Sequence, residues 1–373
     1  MLKKQLTLFK KQGFIQFSKN KLKKCVFVLK KMWYYPYNKN YKWDLLKDKY
    51  IGQRVFLIGN GPSLNKTPLY LLKNENVMCF NRFHLMFERV NWKPKFYTIV
   101  DNLVLDDLLN EFDKVTLNSE SIFIPAVHPQ GDVFVNRVTD DAKVHWFKNK
   151  TLGSGFSTTL PEIYGGGSVI YEGFQILKHL GFGEIVLLGV DMNYKIHKSV
   201  KLLKNKSNNI QSLSDDDPNH FDPRYFGKGK KYHQPEEDII LNILNGLKYI
   251  SKINKDLGFN IINASFDSKV DFFQKKNIFE VLNIDKEISF DLFQDCITSN
   301  TKYGSIEELT NSSIHIFEKD YTDLDFHENY YADTSFGLLL VKKYVYTHVC
   351  YGPYENQLFF VCRKNIINTS LLS

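Results

Sequence analysis

Cysteine is scarce, five residues among 373, and none of the five stands in a C-x-x-C pair. That usage excludes a dense disulfide scaffold and a zinc ribbon, and points to a reducing compartment. Apolar runs are short as well. No uninterrupted stretch of about 18 apolar residues occurs, which a membrane-crossing helix would need, and the N-terminal apolar residues are too often broken by lysine for a signal peptide. Arginine is absent from residues 1–50, which carry 14 lysines against Asp44 and Asp48, a net +12. The whole chain is only +8, so the rest is slightly acidic at −4. A body of that sign lacks the basic footprint of a nucleic-acid binder, so no nucleic-acid partner is expected. Three familiar catalytic signatures are missing: H-E-x-x-H, a G-x-S-x-G elbow and a G-K-[ST] phosphate loop.

The first 36 residues alternate lysine pairs with Leu, Phe, Ile, Val and Trp33. Such a basic amphipathic arm suits either an anionic membrane face or a solvated helix lying on the body. The expected location is cytoplasmic, with peripheral attachment at the inner membrane face as the companion reading. From Gly52 the pattern changes. Short β-rich runs fall at 55–58, 77–80, 96–100, 121–127, 144–147, 184–188 and 260–263, with helical stretches at 103–112, 168–180 and 235–257. Continuous apolar strands alternating with amphipathic helices predict an α/β fold, a mainly parallel Rossmann-like sheet with helices on both faces. Three regions follow: a basic arm over 1–50, a catalytic domain over 51–275 with a lid-like loop at 195–232, and an α+β or β-rich extension over 276–373. Within the loop, Lys201–Asp217 reads as unordered in the absence of ligand, and "NHFDPRYFGKGKKYH" as ordered. Oligomeric state is left open, a homo-oligomer included.

Ligands of parallel sheets collect at the carboxyl ends of the strands, and polar clusters fall there. The first is "GNGPSL": Gly59, Asn60, Gly61, Pro62 and Ser63 form a turn in which glycine permits close backbone approach to a ligand and N–H groups can hold phosphate. Asn81 follows the second strand, and Asp101 with Asn102 the third. Gly167 and Ser168 open a helix, where Ser168 is either an N-cap or a donor contact. Asp191 ends "IVLLGVD", and Tyr194 offers a hydroxyl. His233 precedes a helix with an acidic first turn, which suits a neutral imidazole acting as general base. His220, Tyr225 and Tyr232 are further loop candidates. The run Asp215–Asp217 reads as a cation chelator or as a solvated turn.

The ordered set "GNGPSL", "FNRF", "GGGSVIYEGFQILKHLGFGEIVLLGVDMNY" and "NHFDPRYFGKGKKYHQPEED" resembles a bacterial domain family related to archaeal 6-hydroxymethylpterin pyrophosphokinase. Its wider group includes flagellin-modifying nonulosonic acid transferases, and the layout is similar to the family-42 bacterial sialyltransferases. The resemblance spans about residues 50–275. It implies a variant of the nucleotide-sugar A-type fold and an inverting transferase with a CMP-nonulosonic acid donor and a glycan or lipooligosaccharide acceptor. No metal and no cofactor are implied. In that scheme Asn60 and Ser63 hold the nucleotide, Asn81 reads the cytidine side, Ser168 lies near the donor, Tyr194 steadies the leaving phosphate and His233 is the base. The alternatives are an ATP pyrophosphokinase using Mg²⁺ on a pterin-like molecule, and a non-catalytic assembly protein with a degenerate pocket.

Overall fold

In the computed structural model the described residues are 18–283, apart from 20, 21, 68, 88, 89, 91, 130, 140, 141, 151–154, 204–208, 234, 235 and 267, together with the backbone of five strands between 314 and 363. Residues 22–34 form α1, followed by α2 (Tyr41–Asp44), β1 (Arg54–Ile58), β2 (Asn76–Phe80), β3 (Phe96–Thr98), α3 (Asn102–Leu108), α4 (Phe112–Asn118), β4 (Ser121–Pro125), β5 (Val144–Asn149), β6 (Glu162–Ile163), α5 (Val169–Leu180) and β7 (Glu184–Leu188). Then come β8 (Val200–Leu202), β9 (Asn209–Ser212), β10 (Lys231–His233), α6 (Glu237–Ile253), β11 (Asn260–Asn263), β12 (Gln274–Lys275) and α7 (Ile278–Leu282). The C-terminal strands are β13 (Ile314–Asp320), β14 (Tyr330–Thr334), β15 (Gly337–Lys342), β16 (Tyr344–Tyr351) and β17 (Gln357–Arg363). The fold is α/β with a nine-stranded, mainly parallel, Rossmann-like sheet, as the strand–helix alternation predicts. The chain divides into two compact units, one of residues 1–53 and 96–182, the other of 54–95 and 183–373.

The first unit carries strands in the order β3-β4-β5-β6, all parallel. Their apolar runs are buried on both faces, the pattern expected of parallel sheets. Residues 35–50 belong to this core. Trp43 is 1 % exposed, and its Nε1 donates to the Trp146 carbonyl at 2.9 Å, as does the Tyr35 hydroxyl at 3.0 Å. Lys148 lies over the Tyr35 and Tyr37 rings at 4.2 and 4.3 Å. Residues 35–50 of the expected basic arm are therefore part of this unit, because tryptophan and tyrosine of the arm complete the unit's interior. Only α1 keeps the expected amphipathic exposure, with Phe27 inward and Leu22, Leu29, Met32 and Trp33 outward. The arm's first 17 residues lie outside the described residues.

The second unit has the order β12-β11-β7-β1-β2, again parallel. Val55 to Ile58 and Ile185 to Leu188 are fully buried, so β1 and β7 form its centre. Within 201–217, an expected unordered stretch, residues 204–208 lie outside the described residues, and on either side of them β8 and β9 pair antiparallel, with β10 added to β9. Ile210 and Tyr232, both buried, give this small sheet an apolar contact that the polar composition around it concealed. The C-terminal strands form an antiparallel sheet in the order β13-β17-β16-β15-β14, in keeping with the β-rich reading of 276–373.

Candidate active site at the strand ends

Within the second unit, β1 delivers "GNGPS" directly against the end of β7. The Gly59 N–H donates to the Leu188 carbonyl at 2.7 Å, and the Gly61 N–H to the Gly189 carbonyl at 2.9 Å. A Cβ on Gly59 would lie 2.4 Å from the Gly189 oxygen, and one on Gly61 2.4 Å from the Asp191 carboxylate. Gly189 itself has φ +64, the left-handed region that glycine adopts at no steric penalty. Both Asp191 oxygens face Ser63: Oδ2 accepts the Ser63 N–H at 2.8 Å, and Oδ1 the Ser63 hydroxyl. The sequence assigned these donors to a ligand phosphate. In the structure the N–H groups of Gly59, Gly61 and Ser63 are engaged by the protein, and the glycines admit the neighbouring backbone. Pro62, at the first position of the short 3-10 turn Pro62–Lys66, has no N–H to place.

Asn60 is the member of the loop left with unused capacity. Its Nδ2 donates to the Phe80 carbonyl and to the Tyr225 hydroxyl, each at 3.2 Å, while its Oδ1 is buried with no partner. Buried orphan acceptors are rare because each costs about 1–3 kcal/mol. Asn81, directly after β2, has φ +52, a conformation asparagine tolerates better than most residues, and its side chain is hydrogen-bonded to the Tyr225 hydroxyl. Burial pushes the Tyr225 phenol pKa up, while the nearby Arg82 works to lower it.

The loop after β9 folds over this end of the unit. Phe221 N–H donates to the Asn60 carbonyl at 3.0 Å, and Asn65 Nδ2 to the Phe221 carbonyl at 2.8 Å. Of the three consecutive aspartates, Asp215 and Asp216 are exposed and Asp217 is buried, and each organises a different part of the loop. Asp215 accepts the Lys228 N–H at 2.7 Å. Asp216 accepts from Ser199 at 2.6 Å and Ser214 at 2.7 Å, and contacts His197 Nε2 at 2.8 Å, and these bonds hold its carboxyl down to about 2. Asp217 is paired with His220 Nδ1 at 2.8 Å and accepts the N–H groups of Asn219 at 2.9 Å and Phe226 at 3.1 Å. Burial pushes the Asp217 pKa up, but its interaction with His220 and these hydrogen bonds outweigh that and leave it below its ordinary value. His220 stacks on Tyr225 with ring centroids 3.8 Å apart, and Phe226 on Tyr232 at 4.1 Å. The Tyr232 hydroxyl meets His197 Nδ1. Tyr194 is 38 % exposed, and its phenol pKa is raised by desolvation and by the carboxylates of Asp191 and Asp217. His233 ends β10, half-buried and paired in register with Asn209, just ahead of α6. Pro235 lies outside the described residues.

The remaining expected residues sit on the first unit. Asp101 caps α3, its Oδ1 accepting the N–H of Leu103 at 2.8 Å and of Val104 at 3.0 Å. Replacing Asp101 by Ala should therefore cost about 1 kcal/mol, seen as a drop of a few degrees in the midpoint of a thermal melt. Asn102 is buried, with Nδ2 on Asp132 at 3.0 Å and Oδ1 unpartnered. Gly167 has φ +83, and Ser168 caps α5 by accepting from the Ile170 N–H at 3.4 Å. Among the described residues no group of three or more His, Cys, Asp or Glu side chains gathers as a metal site would require.

Residues 32–197 match the family model described as 6-hydroxymethylpterin diphosphokinase MptE-like. The resemblance read from the sequence thus has an independent counterpart over the MptE-like segment, which includes Gly59 to Ser63, Asn81, Ser168, Asp191 and Tyr194. No curated protein matches the chain. Among solved structures, the sialyltransferase CstII from Campylobacter jejuni in complex with cytidine-5′-monophosphate is 12 % identical, with a TM-score of 0.34 over 60 % of this chain and 85 % of that one. A crystallographic analysis of monomeric CstII gives 15 % identity and the same TM-score and coverage. The MAf glycosyltransferase from Magnetospirillum magneticum AMB-1 is 16 % identical, with a TM-score of 0.37 over 68 % of this chain and 40 % of that one.

Sequence reasoning missed His197 and Glu172, and misread Asp217, which is buried. The usable signal for Asp217 was its place three residues before His220, a spacing at which a turn can close an aspartate onto an imidazole. Glu172 carried no signal at all. It lies inside the MptE-like segment on a helix turn whose exposure only the packed unit decides.

Proposed function

We propose that the chain is an inverting glycosyltransferase that uses a nucleotide-activated sugar, best matched by a CMP-nonulosonic acid, to modify a cell-surface glycan or lipooligosaccharide. The observation that carries this reading is the buried, unpartnered Oδ1 of Asn60 at the carboxyl end of β1. An acceptor held there by Phe80 and Tyr225 awaits an N–H or O–H donor, such as a base amino group or a ribose hydroxyl. The Asp217–His220 pair stacked on the same Tyr225 supplies imidazole chemistry beside it. In the reaction, a hydroxyl oxygen of the acceptor attacks the anomeric carbon, the bond to the phosphate oxygen breaks, and a histidine takes the hydroxyl proton. The resemblance gives that role to His233. Tyr194, with its raised phenol pKa, stays protonated and able to donate to the leaving phosphate. Base catalysis of this kind contributes roughly 10²- to 10⁴-fold.

The family description favours a second reading, Mg²⁺-dependent pyrophosphoryl transfer from ATP to a pterin-like molecule. Nucleotide release measured over CMP-, UDP-, GDP- and ADP-sugars and over ATP with a hydroxymethylpterin, each with and without EDTA, separates the two. Release from a CMP-sugar that survives EDTA is expected; turnover of ATP alone, abolished by EDTA, overturns the transferase. The exposed Leu22, Leu29, Met32 and Trp33 of α1 suit contact with an anionic lipid face. Full-length protein should float with anionic liposomes more strongly than a chain carrying Trp33→Glu and Leu29→Glu, and equal flotation would remove the membrane from the reading.

A further inference from the structure

In the first unit the segments that follow β3 and β4 bring an amide and a carboxylate together. Asn102, 6 % exposed, is the first residue of α3, and the Asp101 cap fixes where that helix begins. Its Nδ2 donates to Asp132 Oδ2 at 3.0 Å. An ionised carboxylate only accepts, so the amide is set with its nitrogen toward Asp132 and its oxygen away from it. That oxygen, Oδ1, is buried and has no hydrogen-bond partner among the described residues. Asp132 is held by its own turn. The His128 N–H donates to the Asp132 carbonyl at 2.8 Å, the Gly131 N–H donates to the His128 carbonyl at 2.7 Å, and Val127 bridges Val133. Lys30 of α1 donates to the Gly131 carbonyl at 2.6 Å. Asp132 is half-buried, so its carboxylate is the open side of the pair and Asn102 the closed side.

Two acceptors side by side, one an anion and the other a buried oxygen without a donor, suit a ligand with two adjacent donors. A phosphate would meet like charge at Asp132. An ammonium would meet the Lys30 cation bound at the preceding residue. Neutral hydroxyls meet neither penalty. We propose that Asn102 and Asp132 form a binding subsite for a vicinal diol, as carried by a glycan or by a ribose. One hydroxyl donates to Asn102 Oδ1 and its neighbour to the Asp132 carboxylate. Burial makes the first of these bonds selective: Oδ1 is already stripped of water, and a ligand lacking that hydroxyl leaves it unpaired. The subsite does not depend on the transferase reading, and binding rather than turnover tests it.

The experiment follows the Asn102 side-chain amide resonances of the full chain while methyl β-galactoside, cytidine or ethanolamine is added. Methyl 3-deoxy-β-galactoside and 2′-deoxycytidine are the matched probes, each lacking one hydroxyl of the diol. The galactoside, cytidine or both should move the Asn102 resonances with a Kd on the order of 1–10 mM. The matched deoxy probe should bind about tenfold more weakly or worse, as should the diol to Asp132→Asn and Asn102→Leu. A response to the galactoside alone assigns the diol to a glycan, and one to cytidine alone assigns it to a ribose. The wild-type spectra decide the matter should the variants fail to fold. Asn102 resonances unmoved by both diols, moved equally by the deoxy probes, or moved by ethanolamine alone overturn the proposal. Nucleotide release is read separately, so a chain inert toward every nucleotide-sugar that still responds at Asn102 loses the transferase and keeps the subsite.

Discussion

Replacing Gly59 by Ala should destabilise the protein by about 3 kcal/mol or more. The new methyl would sit 2.4 Å from the Gly189 oxygen and 2.9 Å from its carbonyl carbon, both backbone atoms at the end of β7. Neither can swing aside as a side-chain tip could. The strand ends must separate, and separation breaks the Gly59–Leu188 and Gly61–Gly189 hydrogen bonds at 2.7 and 2.9 Å, then the double contact of Ser63 with Asp191. The comparison variant is Gly52→Ala. That glycine has a positive φ, +74, which Gly59 does not, and nothing lies within 4 Å of its Cβ position. It should lose only the roughly 1–2 kcal/mol of a left-handed non-glycine residue. Urea unfolding of the two variants beside wild type measures the gap. Equal losses would mean that the close approach of the β1 and β7 ends does not make glycine necessary at 59.

Replacing Glu172 by Gln should stabilise the protein at pH 8 while changing little near pH 4.5. Glu172 lies in the first half of α5 at 5 % exposure, its Oε2 has no partner, and its Oε1 faces the Gly165 Cβ position at 3.6 Å. Burial pushes its pKa up to about 8, against the pull of its own backbone N–H. Below the unfolded value of 4.5 the carboxyl is protonated in both states and contributes no pH dependence. Between 4.5 and about 8 the unfolded chain releases the proton and the folded chain retains it, so stability falls as pH rises. Each pH unit crossed in that window costs about 1.4 kcal/mol, and the loss reaches a few kcal/mol at pH 8. Glutamine keeps the shape and cannot ionise, so its advantage should be about 2–4 kcal/mol at pH 8. Denaturant midpoints from pH 4.5 to 8.5 test this, and parallel curves for variant and wild type would refute it. His145 shapes the acid limb of the same curve. Burial, then the neighbouring Lys42 charge, lowers its pKa to about 4, so the folded state holds it neutral. Its contribution is fully present above the unfolded value of 6.5 and is lost as pH falls toward 4.

Much of the architecture was legible in the sequence because parallel strands buried on both faces leave an unbroken apolar record. Glu184–Leu188 and Asn260–Asn263 came out with the bounds read from that record, and the others within a few residues. The cap at Ser168 was legible for a local reason: it acts on an N–H group two residues away. The strands β8 and β9 were missed because they are short and their buried side chains few, so composition dominated over period. The arm was misread at its inner end, where Tyr35 and Trp43 find partners about 100 residues further along.

The amino-acid sequence by itself determined which residue types stand at which strand ends, since apolar runs fix the strands and each strand delivers whatever follows it. It could not decide where the donors and acceptors of those residues point. The glycines of "GNGPS" admit Gly189 and Asp191, about 130 residues away in the chain, so whether their N–H groups serve a ligand or the protein is settled only when β1 and β7 lie side by side. The same holds for the histidines. His197 and His220 are equivalent as letters in a polar loop, and the packing of Asp216, Asp217, Tyr225 and Tyr232 makes them chemically different. Hydrogen-bond directions are a property of the folded neighbourhood, because each polar group is satisfied by whatever folding brings within about 3 Å.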